Sequence, residues 1–153
     1  LVIKGDNVLL EYFKNEEATA KAFNKDGYFL TGDLGVEDKD GFFFITGRKK
    51  ELIIKGGENI SPREIDDTLY KHNAVLEACT FGIKDENYGE EISACVFLKD
   101  NLFVNEEELL ELCTADLGEY KTPSQIIFVD KPLPKGPSGK IQRLKIASHY
   151  SHT

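Results

Sequence analysis

The sequence predicts an α+β fold, a small mixed sheet with helices, preceded by a β-rich piece. Three observations carry the prediction. From Glu51 onward, segments of strand and helix pattern follow in the order strand, helix, strand, strand, helix, strand, helix. Two of those helices are marked by cap residues at their starts. Before Gly47 the chain is mostly short apolar runs broken by glycine, which reads as strand.

In chain order, "LVIKG" at Leu1 opens as a strand and turns through Gly5 to Asn7. "NEEATAKAF" reads as a short helix capped by Asn15, with acids in its first turn where the backbone dipole is positive. "DGYFLTGDLGVEDKDGFFFITGR" gives strands punctuated by glycine, with Asp38 to Gly41 as a hairpin turn and Phe42 to Thr46 as the second arm. "ELIIKGGEN" is a strand stopped by Gly56 and Gly57. In "SPREIDDTLYKH", Ser61 is the expected N-cap and Pro62 fills the first helical position, where its missing N–H is not needed. Glu64 completes a capping box. Val75 to Ile83 and Ile92 to Leu98 are rich in β-branched and aromatic residues and are expected to pair across "KDENYGEE". "NEEELLELCTADLG" puts Leu109, Leu110, Cys113 and Leu117 on one helix side and ends at Gly118. "QIIFVD" supplies another strand, and a loop leads to a short terminal helix.

Composition limits function. The chain has 153 residues, 41% hydrophobic and 30% charged, with net charge −8. That balance argues against nucleic acid or anionic membrane as partners, although the cluster Arg48, Lys49, Lys50 and Lys55 could hold a small anion. No apolar run approaches the roughly 18 residues of a membrane span, and no signal peptide is visible, so a cytoplasmic location is expected. Cys79, Cys95 and Cys113 are odd in number and set in apolar patterns, which suits reduced core thiols better than disulfides or zinc. His149 and His152 could contact a metal, but a frayed polar tail is the ordinary account, and no metal site is assigned. There is no methionine anywhere, so a piece of a longer protein is expected.

The stretch "LPKGPSGKIQR" presents Lys140 from turn-forming residues. A Walker phosphate loop needs four residues between its first glycine and its Gly-Lys; Gly136 and Gly139 have only two between them, and Ile141 follows the lysine. A solvated surface lysine remains the alternative on this stretch alone.

Taken together, "GYFLTGDLG", "DGFFFITGRKKELIIKGGENISPREID" and "PLPKGPSGKIQR" resemble the adenylate-forming superfamily of acyl-CoA synthetases, luciferases and peptide-synthetase adenylation domains. The resemblance covers nearly the whole chain. It implies two half-reactions: a carboxylate attacks the α-phosphate of ATP to give acyl-AMP, and a thiol then displaces AMP. By resemblance Asp33 grips the ribose hydroxyls, Arg48 assists at the ribose and phosphate side, and Lys50 is the hinge about which a small domain swings. Lys140 is then the catalytic lysine between carboxylate and α-phosphate. Gly56, Gly57 and Glu58 line the pantetheine channel of CoA, though a simple strand terminator accounts equally well for Gly56. The implied domains are 1–47, the end of a large AMP-binding domain; 48–50, the hinge; and 51–153, a mobile α+β domain. Implied ligands are ATP, CoA and a small carboxylic acid, with Mg2+ held mainly by an N-terminal large domain that is also the implied partner.

"GGENISP" and "SGKIQR" favour the acyl-CoA synthetase branch. A peptide-synthetase or luciferase-like enzyme and a non-catalytic binding module of the same fold stay as alternatives. Asp66 stands where the family commonly has Glu, a conservative change expected to matter little. The context of Lys140 also resembles that of synthetases switched off by lysine acetylation.

Overall fold

Glycine places the turns of the N-terminal stretch, and a computed structural model describes residues 1–150. His152 lies outside the described residues. The chain divides into two compact units, the first Leu1–Lys50 and the second beginning at Glu51.

In the first unit, β1 (Val2–Ile3) pairs antiparallel with β2 (Phe29–Leu30). Between them lies α1 (Glu16–Ala22), whose cap is Asn15, its side chain accepting from the Ala18 amide at 3.0 Å. β3 (Asp33–Glu37) and β4 (Phe43–Arg48) form an antiparallel hairpin with a bulge at Leu34/Gly35. Asp38 builds its turn by accepting from the Asp40 and Phe42 amides at 2.9 Å, and Gly41 takes the left-handed φ of 84°. No side chain of residues 1–50 is buried, and Leu10, Phe13 and Phe42 are 92%, 85% and 66% exposed.

The second unit carries the core. β5 (Ile53–Lys55) and β6 (Glu58–Ile60) are antiparallel neighbours, so Gly56 and Gly57 join two strands where the sequence suggested that one strand ends. Their φ angles of 55° and 86° are both positive, as a two-residue hairpin turn of the primed type requires. α2 (Pro62–Leu69) starts at the expected proline, but Ser61 makes no side-chain cap and the Glu64 carboxylate takes Lys121 Nζ at 2.8 and 2.9 Å. The long strands β7 (Val75–Asp85) and β8 (Gly89–Leu98) pair antiparallel, with a far shorter connection than "KDENYGEE" suggested. α3 (Glu106–Leu117) crosses over to β9 (Gln125–Val129), which runs parallel to β8, and α4 (Arg143–Tyr150) closes the described chain. The sheet is mixed, with β8 contacting β5, β7 and β9.

Alternation along the central strands sorts side chains to two faces. Ala78, Ile92, Ala94 and Val96 join Ile65 and Leu69 of α2 and Leu109 and Cys113 of α3. Cys79, Phe81 and Cys95 face the other way and meet Leu133 and Ile146 of the terminal segment. Both faces are covered, which is why the strands read as nearly continuous apolar runs. Each large side chain here, such as Phe81 at 1% exposure, contributes about 1.5–3 kcal/mol through burial.

All three cysteines are buried and free, as the sequence suggested. Among the described residues no helix is long and apolar enough to cross a membrane.

Candidate functional site

Three separate groups hold the residues singled out in the sequence, one in the first unit and two in the second.

In the first unit the β3–β4 register sets Asp33 opposite Arg48, and Arg48 Nε lies 2.9 Å from Asp33 Oδ1. The Thr31 hydroxyl accepts from the Asp33 amide at 3.0 Å, and the Lys49 amide bonds Gly32 O at 2.9 Å. Beside the pair is a cleft of about 500 Å³ lined by Thr31, Gly32, Arg48, Lys49 and Lys50. Three cations around one cleft favour an anion there. Lys55 does not belong to this basic set: it is 8% exposed, in the second unit, with Nζ 2.6 Å from Glu91 Oε1. The four-residue basic cluster of the sequence is therefore a three-residue one.

In the second unit the Gly56–Gly57 turn is pinned from outside. Tyr120 Oη donates to Lys55 O at 2.6 Å, and the Gly56 amide donates to Tyr88 O at 2.8 Å. The Lys55 ammonium sits 5.2 Å from the Tyr120 ring centre and 5.7 Å from that of Tyr88, a favourable cation–π arrangement. Gly57 and Glu58 are exposed at the tip and on β6.

Lys140 stands on a small hairpin of its own. Lys135 and Ile141 form an isolated antiparallel bridge, Gly136 N donates to Lys140 O at 2.9 Å, and Gly139 N to Gly136 O at 2.9 Å. Gln142 N closes the base on Pro134 O at 2.8 Å. The loop is thus hydrogen-bonded along both arms. Ile141 packs into the core beneath while Lys140 is exposed.

Three residues away lies a side chain the sequence reading passed over. Arg143 donates through Nη2 to Asp66 Oδ2 at 2.7 Å, through Nε to Glu51 Oε2 at 3.1 Å and through Nη1 to Thr80 O at 2.5 Å. Asp66 also accepts from the Thr80 amide at 2.6 Å. Burial pushes the Asp66 carboxyl above the usual carboxylate range, opposed by Arg143 and by the Thr80 amide. Burial also works against the Arg143 charge, but Asp66 outweighs it and the guanidinium is held protonated. Asp66, which the sequence marked only as a conservative departure from Glu, is thus a buried anchor.

A family described as the AMP-binding enzyme C-terminal domain matches residues 64–140, running from within α2 to the exposed lysine. The chain belongs to that family. Its relatives include the sulfoacetate–CoA ligase of Cupriavidus necator, 49% identical over 149 residues, which cover 97% of this chain and 29% of the relative. The crystal structure of ATP-bound MatB from Rhodopseudomonas palustris superposes with a TM-score of 0.89 at 34% identity, covering 98% of this chain and 30% of that one. The o-succinylbenzoate CoA synthetase of Bacillus subtilis, solved with its acyl-adenylate OSB-AMP, matches with a TM-score of 0.88 at 37% identity, covering 95% and 29%. The chain therefore spans under a third of the length of these relatives.

Proposed function

We propose that this chain serves as the C-terminal part of an AMP-forming acid–thiol ligase of the acyl-CoA synthetase type. The ligase joins a carboxylic acid to ATP as acyl-adenylate, releasing pyrophosphate, and then lets the CoA thiol displace AMP. The observation that carries the proposal is Lys140, exposed on a closed hairpin at the end of the matched family segment.

Each role follows from side-chain chemistry. An ammonium set between two anions, the acid's carboxylate and the α-phosphate, offsets their repulsion as they approach, and in a site closed from water that is worth several kcal/mol. Asp33 offers the acceptor pair that two vicinal ribose hydroxyls need, and Arg48 is positioned to orient it. The cation-lined cleft beside them suits phosphate oxygens. The Gly56–Gly57 turn presents backbone without Cβ atoms, so a narrow pantetheine arm can pass close, with Glu58 beside it. Lys50, immediately before the second unit, is the pivot between the two half-reactions; a charged residue there stays solvated in both poses.

The remaining two-thirds of the ligase is a large N-terminal domain, which would cover the exposed Leu10, Phe13 and Phe42. The magnesium accompanying ATP is assigned to that large domain. A cytoplasmic enzyme fits the free, buried cysteines.

The test is Lys140→Ala in the complete ligase. Acyl-adenylate formation should fall by at least about a hundredfold while thioester formation from supplied acyl-adenylate persists. Acetylation of Lys140, which removes the same charge, should reproduce that pattern. Equal loss of both half-reactions would remove the role.

A further inference from the structure

A loop built from Pro, Gly and Ser samples many conformations unless something holds it, whereas a catalytic ammonium needs placement within about 0.5 Å. Around Lys140, two sets of charged side chains grip the two arms of the hairpin. On the incoming arm, Glu77 of β7, 9% exposed, takes the Leu133 amide on one oxygen at 2.8 Å and Lys135 Nζ on the other at 2.5 Å. On the outgoing arm, Arg143 spreads its guanidinium over Glu51, Asp66 and the Thr80 carbonyl. Lys135 is the bridge partner of Ile141, so the grip on one arm is felt beside Lys140 on the other. Glu77 and Thr80 both belong to β7, so both arms are referred to one strand.

Stability alone is a weak reason for such an arrangement. Buried ion pairs are often no better than apolar replacements of similar shape, and a partly exposed pair such as Lys135–Glu77 adds little. What directional charge pairs supply, and an apolar contact does not, is a fixed angle and register.

We propose that Lys135 and Arg143 are positioning residues for Lys140, holding its hairpin through Glu77 on one arm and through Asp66 and Glu51 on the other. The catalytic half of this proposal rests on the role given to Lys140 above; the structural half stands without it. Because Glu51 follows Lys50 directly, Arg143 also ties the start of the second unit to the hairpin, so that a swing about Lys50 carries Lys140 as part of a rigid body.

Lys135→Gln is the primary variant, since its side chain is 41% exposed and belongs to neither hydrophobic core cluster. In this chain, hydrogen exchange at the Gly136, Gly139 and Gln142 amides should accelerate at least about tenfold, with Ala94 and Val96 in β8 unchanged, and Lys135→Arg should restore protection. In the complete ligase, kcat for adenylation should drop about tenfold with KM for ATP and acid within about twofold, while thioester formation keeps its rate. Arg143→Lys, which leaves Asp66 a cation but cannot span three partners, should act the same way. Unchanged hairpin exchange, equal loosening of Ala94 and Val96, or equal loss in both half-reactions of Lys135→Gln would overturn the proposal. If Lys140→Ala itself shows no selective loss, the parent assignment fails instead, and the exchange data still decide whether the hairpin is held as described.

Discussion

Replacing Gly56 by alanine should destabilise the second unit by about 2–3 kcal/mol, and the sum can be taken apart. Gly56 has a φ of 55°, in the left-handed region where a Cβ costs about 1–2 kcal/mol. The added Cβ would also stand 2.9 Å from Tyr120 Oη. That hydroxyl is not free to yield: it donates to Lys55 O at 2.6 Å, and its ring lies 5.2 Å from the Lys55 ammonium. Displacing it forfeits a hydrogen bond with a net value of about 1 kcal/mol. Gly57 is the internal control, with a φ of 86° and nothing within 4 Å of its own added Cβ, so Gly57→Ala carries strain alone, about 1–2 kcal/mol. Tyr120→Phe should cost about 1 kcal/mol by itself and remove the clash, so the two changes at Gly56 and Tyr120 should couple by about 1 kcal/mol. Urea titration of the four chains of that cycle, with Ala94 and Val96 amide exchange as the reporter, measures each quantity. If Gly56→Ala costs the same with and without the hydroxyl, or no more than Gly57→Ala, Tyr120 does not pin the turn.

Burial pushes the Cys79 thiol up to about 12 and those of Cys95 and Cys113 to about 11 from an ordinary 9.0, so Ellman's reagent at pH 8 should find no reactive thiol until denaturant exposes all three. The same shifts set a sign: the unfolded chain loses these protons first, so thiol-linked stability is whole below pH 9.0 and declines as pH rises toward 12, readable from urea midpoints; a flat profile there would contradict it. Residues 51–153 alone should unfold cooperatively and residues 1–50 alone should not, since every buried side chain described lies in the second unit; comparable melting transitions from both would refute this. Lys50→Pro fixes one backbone dihedral and should abolish thioester formation in the complete ligase while adenylation survives, whereas an unchanged overall rate would put the pivot elsewhere.

The fold was legible wherever local chemistry decides it. Asn15 and Asn105 cap α1 and α3 as their positions suggest, Pro62 opens α2, and Asp38 with Gly41 makes its turn. Local rules gave way where a longer-range partner offered more. The Glu64 carboxylate is engaged by Lys121 from 57 residues away, and Gly56–Gly57 connects two strands because β8 holds β5 at Gly89 and Tyr120 holds the turn. Short strands such as β6 have too few residues to show a period, and only their partner reveals them.

The site divides differently. Asp33, Arg48 and Lys140 are exposed or half-exposed polar residues in glycine-marked segments, and that combination is visible in sequence because loops need turn residues to present them. Asp66 and Glu77 are buried charges and Arg143 a partly buried one, and such a charge is spelled the same way as a solvated one. Yet each occupies a position that local physics disfavours. Arg143 is a cation at the N-terminal end of α4, where the helix dipole repels it. Asp66 lies on the face of α2 that buries Ile65 and Leu69, and Glu77 interrupts the apolar run of β7. A charge in such a place is stable only with a partner of opposite sign. The structure supplies those partners: Arg143 Nη2 meets Asp66 Oδ2 at 2.7 Å, and Glu77 takes Lys135 from beyond β9.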